Sequence, residues 1–346
     1  MKLKSLSTKL KKTGRSKKPA WKGTALVTGA GGFIGSRLVE ALVEKNYRVR
    51  ALFLPGENAA GAEKLGADII RGDITNPGSL KGIAWNADLV FHLATRVLDW
   101  GGRKLFRRLM VDGTRNLLEE CRRCGSGRFI YFSSIAALGL GRPAAGLDED
   151  AERVATGIPY GDTKIEAEDL VSAYCRAEDI PFTIIRPANV TGPGSVWVKD
   201  ILDAFFRGPL PLIDGGRAPG AFVYVDNLVD GAILAARSPV AAGRTYHFRD
   251  DYDITWGQYI ALLGGLIGRR PRGNIPFRLA WTMGHLLETL LSPLGVRPPM
   301  TRLAAGVMGR NNDVDASRAR RELGWKSRVD LETALGAIER WVRDVY

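Results

Sequence analysis

Residues 24–54 read TALVTGAGGFIGSRLVEALVEKNYRVRALFL, and this stretch decides the fold. A short apolar run (Ala25, Leu26, Val27) leads into a glycine turn with Gly29, Gly32 and Gly35, then an amphipathic segment, then a second apolar run. Strand, turn, helix and strand in that order make a βαβ unit, whose crossover sets the two strands parallel. Glycine at these spacings permits a tight turn, lets backbone approach a pyrophosphate and allows close helix-to-strand contact. The helix N-terminus adds unpaired N–H groups and the positive end of its dipole. Gly is also ordinary turn chemistry, so it is the placement in the first βαβ unit that makes the motif informative.

Working outward, the pattern continues. ADIIRGD (67–73), ADLVFHLAT (87–95), RFIYFSS (128–134) and PFTIIRP (181–187) read as apolar strands, with helical stretches such as RKLFRRLMVDGTRNLLEECRRC (103–124) between them. Alternation of this kind predicts an α/β fold with a doubly wound parallel sheet. From about residue 188 the alternation degrades into Pro and Gly clusters at 190–194, 208–211 and 214–220. The expected organisation is a basic tail at 1–22, a dinucleotide-binding domain at 23–187, and a smaller C-terminal substrate lobe at 188–346 with some segments returning to the core.

The net charge of +13 suggests nucleic acid only until it is located. Residues 1–22 carry nine Lys or Arg and no acid, which leaves +4 for the other 324 residues. No apolar segment follows to make the leader a secretory signal, so it reads as a solvated arm, and no specific nucleic acid is expected. Basic clusters are also drawn to anionic lipid. Three cysteines, Cys121, Cys124 and Cys175, are too few and too odd for a disulfide framework. They point to a reducing, cytoplasmic setting, with no metal site expected.

Within 275–300, Leu279, Met283, Leu286, Leu287, Leu290, Leu291 and Leu294 follow helical spacing, with Arg278, Thr282, His285, Thr289 and Ser292 between them. The segment reads as an amphipathic helix rather than a span, and its expected role is to pack against the body. Peripheral membrane contact or a hydrophobic substrate is the other reading.

Two further elements carry chemistry. Tyr160-Gly-Asp-Thr-Lys164 opens a helical run, so the phenol and the ammonium stand one turn apart on one face. An ammonium beside a phenol favours the phenolate and lowers its pKa from about 10. Tyr160 can then give a proton to a carbonyl oxygen or take one from an alcohol. Phe132-Ser133-Ser134 ends an apolar strand whose carboxyl end faces the same crevice, where a hydroxyl can hold the substrate oxygen.

With these residues in order, the sequence resembles the extended short-chain dehydrogenase/reductases, which include nucleotide-sugar epimerases and dehydratases. The similarity runs from about Gly23 to Trp341 through TGAGGFIG, GDITNP, FHLAT, VDGTRNLLEEC, FIYFSSIAALG, YGDTK, RPANVTGPG, VYVDNLVDGAILAA and RELGW. The resemblance implies a Rossmann-like sheet and an NAD or NADP cofactor. It implies that Gly29, Gly32, Phe33, Ile34 and Gly35 hold the pyrophosphate and that Asp73 and Ile74 border the adenine. Leu93, Ala94 and Thr95 would line the cofactor further along, with Pro187 and Val190 near the nicotinamide. Ser134, Tyr160 and Lys164 would be the catalytic set, with Tyr160 and Lys164 also touching the cofactor. Ser134 is chosen over Ser133 because it stands five residues before Gly139, the family's spacing. The resemblance also suggests a homodimer.

Two departures stand out. Where the family often places an acid (NAD) or an arginine (NADP) at the end of the second strand, this chain has Phe53, leaving Arg50 and Glu57 as the nearby charged candidates. Met110 stands where the family commonly has Asn before Val111. HLATRVLDWGG, the DGTRNLLEEC helix and the tract at 275–300 look most like the branch of 3β-hydroxysteroid dehydrogenases and dihydroflavonol reductases. That branch implies a secondary alcohol or ketone on a bulky, largely apolar small-molecule substrate. Two rivals remain: a nucleotide-sugar epimerase with tightly held NAD, clamped by Lys199, Arg207, Arg217 and Arg244, and a dinucleotide-binding sensor or scaffold without turnover.

Overall fold

The computed structural model describes residues 22–95, 99–143 and 145–346; most of the basic tail and Arg96, Val97 and Leu98 of the HLATRVLDWGG stretch lie outside them. The apolar runs become parallel strands β1 (Thr24–Thr28), β2 (Arg48–Phe53), β3 (Asp68–Arg71), β4 (Leu89–His92), β5 (Arg128–Phe132) and β6 (Phe182–Pro187). An edge strand, Arg244–Phe248, completes a seven-stranded sheet in the order β3-β2-β1-β4-β5-β6-edge. Chain order reverses between β1 and β4, where Thr28 pairs with Leu52 on one side and His92 on the other. Loops leaving these two strands diverge, opening the crevice in which open α/β sheets take ligands.

Helices cover both faces, which is why the strands are continuously apolar. Leu38 and Leu42 of the Phe33–Glu44 helix pack on one face with Ala232 and Ile233 of the Val225–Arg237 helix. Leu117 and Leu118 of Gly113–Cys124 and Val171 of Pro159–Ala177 pack on the other. Trp325 of RELGW is fully buried, 5.2 Å from the Phe248 ring, and its indole N–H donates to the Asn227 carbonyl at 2.9 Å. That contact seats the late chain on the edge strand.

Beyond β6, two small parallel pairs, Asn189–Thr191 with Phe222–Tyr224 and Leu212–Ile213 with Asn274–Ile275, carry the lobe. The chain returns from it to the main sheet through the Val225–Arg237 helix and the edge strand. The Phe277–Leu291 helix forms as expected but does not pack as expected. Its core contacts come from Phe277, Ala280 and Gly284, while Leu279, Met283, Leu286 and Leu290 face outward. Gly284 lies so close to Thr301 and Arg302 backbone that a side chain there would fall 2.8 Å from it. Close backbone packing, rather than leucine burial, attaches this helix.

The glycine loop is built on two close approaches. Gly29 has φ +68°, and a Cβ there would lie 2.9 Å from Ala94 N at the exit of β4. A Cβ at Gly35 would lie 2.0 Å from the Gly29 carbonyl oxygen. Gly35→Ala is therefore expected to destabilise the fold by about 1–3 kcal/mol through overpacking and to weaken dinucleotide binding. Urea unfolding and cofactor titration check both, and wild-type values in both would contradict this packing.

Candidate active site

The connection leaving β5 folds back against the start of the next helix. Pro159 occupies the first turn of the Pro159–Ala177 helix, where its missing N–H costs nothing. Asp162 turns back to accept from Thr156 N at 2.9 Å and Gly157 N at 3.1 Å, fixing the approach to that turn. Gly161 brings the helix against the turn Ile135–Leu138, since a Cβ there would meet the Ala136 carbonyl oxygen at 2.8 Å. Ser134 begins that turn, its Oγ accepting from Ala136 N at 3.1 Å. The helix bearing Tyr160 and the turn bearing Ser134 are thereby held in contact, and Gly161 is the residue that allows it.

Lys164 is buried, and its ammonium donates to the Phe132 carbonyl at 2.7 Å, at the last residue of β5. Its Nζ stands 5.1 Å from the centre of the Tyr131 ring and 5.9 Å from that of Tyr160. The expectation that Lys164 draws the Tyr160 phenol down is not met in this geometry. Burial pushes the phenol up, opposed by the Ser134 hydroxyl. It is the lysine that moves most, pulled down to about 7 by burial against the upward pull of Glu168 one turn on. A phenol with a raised pKa keeps its proton near neutrality, so Tyr160 stands ready as a donor.

At the switch point, His92 links the strands. Its Nδ1 pairs with Thr28 Oγ1 at 2.8 Å, its Nε2 with Thr114 Oγ1 at 2.8 Å, and burial takes its pKa down to about 3. Thr114 Oγ1 in turn donates to the Met110 carbonyl at 2.6 Å. Met110 lies in a π-helical turn, Arg108–Asp112, and its sulfur accepts from Thr163 Oγ1 at 3.5 Å. A thioether cannot relay protons as an amide-linked water chain can, so this position packs and positions.

The residues around the glycine loop fit a dinucleotide. Gly32 caps the Phe33–Glu44 helix without a side-chain bond, and no acid stands in its first turn, so its N–H groups are available to phosphate. Thr95 Oγ1, at the exit of β4, is buried without a hydrogen-bond partner among the described residues. Asp73 and Ile74 follow β3; one Asp73 oxygen accepts from Thr75 N at 2.8 Å, and the Ile74 carbonyl accepts from Asn116 at 2.8 Å. Pro187 ends β6, and Val190 lies in the next short strand.

The two charged candidates near Phe53 separate. Arg50 is turned away, donating to the carbonyls of Ile83 and Trp85. Glu57 lies against the glycine loop, so that a side chain at Gly31 would meet its Oε1 at 2.2 Å, while Oε2 accepts from Leu54 N at 2.9 Å. Arg71, which the sequence reading passed over, stands opposite Phe53 in β3, its guanidinium 5.7 Å from that ring and donating to the Leu54 and Glu57 carbonyls.

Tyr160 forms one wall of a cleft of about 380 Å³. Trp100, Phe106 and Ile158 contribute apolar wall, and Thr289, Ser292 and Pro293 close the far side. Among the described residues its two cations are paired: Arg103 with Glu166 at 2.6 Å and Arg302 with Glu288 at 2.7 Å. Of the four candidate diphosphate clamps, Lys199, Arg207, Arg217 and Arg244, none lines it, and Arg244 pairs with Glu322 at 3.6 Å. No group of three or more His, Cys, Asp or Glu able to hold a metal occurs among the described residues. Burial raises the thiols of Cys121 and Cys175 to about 12.

The model of the NAD dependent epimerase/dehydratase family matches residues 25–248, and the chain belongs to that family. It is an enzyme of the extended short-chain dehydrogenase/reductase type. It is 32% identical over 324 residues, 91% of this chain and 95% of the relative, to a 4-hydroxy-2-methyl-3-oxo-4-farnesyl-3,4-dihydroquinoline-1-oxide ketoreductase of Stigmatella aurantiaca. It is 27% identical over 333 residues, 92% of this chain and 90% of the relative, to a decarboxylating sterol-4-alpha-carboxylate 3-dehydrogenase of Mus musculus. In fold it is similar to UDP-glucose 4-epimerase from Thermotoga maritima, with a TM-score of 0.75 at 22% identity, covering 93% of this chain and 99% of that one.

The lysine gives a measurable consequence. Its folded pKa of about 7 lies below the unfolded value of about 10.4, so between those limits the unfolded chain holds a proton that the folded chain lacks. Stability contributed by this group therefore rises with pH across that window. Urea unfolding of Lys164→Met should show a shallower rise between pH 7 and pH 10 than wild type; parallel curves would mean that Lys164 stays charged when folded.

Proposed function

We propose that the protein is an NAD-dependent reductase or dehydrogenase acting on a ketone or secondary alcohol of a bulky, largely apolar substrate, with Tyr160 as the proton-transfer group. The cleft beside Tyr160 carries this reading: it is partly apolar, and Arg103 and Arg302, its only cations among the described residues, are each neutralised by a carboxylate. A diphosphate would need unpaired donors there. Relatives named for a farnesylated ketone and a sterol support the same choice of substrate class.

The dinucleotide, when bound, supplies the hydride chemistry at its nicotinamide. The chain's own residues supply the rest. Gly29, Gly32 and Gly35 keep backbone close to the pyrophosphate, with Phe33 and Ile34 at the helix start beside it. Asp73, Ile74, Leu93, Ala94 and Thr95 border the groove along the carboxyl edge. Ser134 Oγ holds the substrate oxygen, and Tyr160 donates its phenolic proton to that oxygen in the reductive direction. Lys164, tied to the Phe132 carbonyl, fixes the helix turn that carries Tyr160 and, when protonated, favours the phenolate left behind.

Glu57 makes NAD the preferred cofactor. Its carboxylate lies beside the glycine loop, where it accepts from ribose hydroxyls and repels a 2′-phosphate, while Arg71 is committed to backbone carbonyls. Glu57→Gln should shift the ratio of NADP to NAD affinity upward by about tenfold, one lost charge interaction; an unchanged ratio would place the determinant elsewhere.

Tyr160→Phe should lower turnover of an apolar ketone by about 100-fold or more, the usual worth of a positioned acid, with cofactor affinity retained. Parent-level turnover in that variant would contradict the mechanism.

A further inference from the structure

We infer that the Phe277–Leu291 helix docks the protein on an anionic lipid bilayer, lying in the plane of the interface beside the mouth of the cleft. Leu279, Met283, Leu286, Leu290 and Leu294 recur at helical spacing and form one outward stripe, with Leu286 and Leu290 each 57% and Leu294 73% exposed. Scattered exposed leucines need no explanation; a contiguous stripe does. No described part of the chain covers it. Nor does the stripe line the active site, which takes Thr289, Ser292 and Pro293 from the adjoining face.

The polar groups on the helix are arranged for a wet-to-apolar boundary. Thr282 and Thr289 fold their hydroxyls back onto the carbonyls of Arg278 and His285, at 2.9 and 2.8 Å, which reduces their need for water. Charge selects the lipid. Between residues 254 and 312 there are seven arginines and a single acid, Glu288, which is held by Arg302. Arg269, Arg270, Arg272 and Arg278 are exposed and have no ion-pair partner among the described residues. Apolar side chains flanked by arginine match an interfacial helix on anionic headgroups. The nine basic residues of 1–22 add charge of the same sign.

A second copy of the chain is the poorer occupant. A two-fold would press together two patches of the same positive sign, whose one acid between residues 254 and 312, Glu288, is already held by Arg302. No helix among the described residues is long and apolar enough to cross a membrane. Docking has a consequence for supply that rests on the apolar-substrate reading: a substrate dissolved in the bilayer reaches the cleft along the helix without crossing water. The docking itself does not depend on that reading.

Flotation of the full chain with vesicles of phosphatidylcholine alone, and of phosphatidylcholine with phosphatidylglycerol, tests it without any turnover measurement. Wild type should float with the anionic vesicles. The combined variant Leu286→Ser, Leu290→Ser, Leu294→Ser should lose at least tenfold in vesicle affinity while keeping wild-type NAD affinity, and Arg269→Gln with Arg270→Gln and Arg272→Gln should weaken binding to anionic vesicles only. Three results would each overturn the proposal: no flotation of wild type, undiminished flotation of the leucine variant, or a lipid-free dimer that the leucine variant converts to monomer.

Discussion

The bond from the Lys164 ammonium to the Phe132 carbonyl, 2.7 Å long and out of reach of water, sets the register of everything around it. Burying a cation is costly unless partners replace its hydration. Here one carbonyl, the faces of Tyr131 and Tyr160, and the nearby Glu168 carboxylate stand in for water. Glu168 is itself buried and accepts from Arg186 at 2.8 and 2.7 Å. Arg186 immediately precedes Pro187 at the end of β6. The exit of β5, the Pro159–Ala177 helix and the exit of β6 are thus tied through one line of polar and charged groups. Ser134 follows Phe132 by two residues and Tyr160 precedes Lys164 by one turn, so this line also spaces the Ser134 and Tyr160 side chains.

A second tie runs across the switch point. His92 bridges Thr28 of β1 and Thr114 of the helix that precedes β5, and its neutrality lets both ring nitrogens share in neutral hydrogen bonds. The glycine loop begins one residue after Thr28. The loop's shape therefore depends on the same network that holds β1 against β4, and the π-helical turn at Met110 supplies the carbonyl that ends it. Irregular helical turns of this kind recur at functional sites.

Much of this was legible in the sequence because parallel, doubly covered strands are continuous apolar runs and the loops that follow them carry glycine, serine or threonine. β1 to β6 and the Phe33–Glu44, Gly113–Cys124 and Pro159–Ala177 helices follow directly from that pattern. What the pattern could not carry was direction. The leucine periodicity at 279–294 identified which side chains share a face but not that backbone contact at Gly284 would turn that face outward. Arg50 looked like a cofactor-site charge until the fold placed the carbonyls of Ile83 and Trp85 beside it. The lysine's anchor is a carbonyl 32 residues away in sequence, and burial, which only the folded chain defines, reversed the expected order of influence between Lys164 and Tyr160.

A reductase with Tyr160 as proton donor makes a net transfer of reducing equivalents from cofactor to substrate in each turnover, which the reduced-nicotinamide absorbance follows while an apolar prochiral ketone is consumed. One NADH oxidised for each alcohol formed is the expected result. Substrate conversion with no net change in that absorbance would mean that the hydride returns within the turnover, as in an epimerase, and would contradict it.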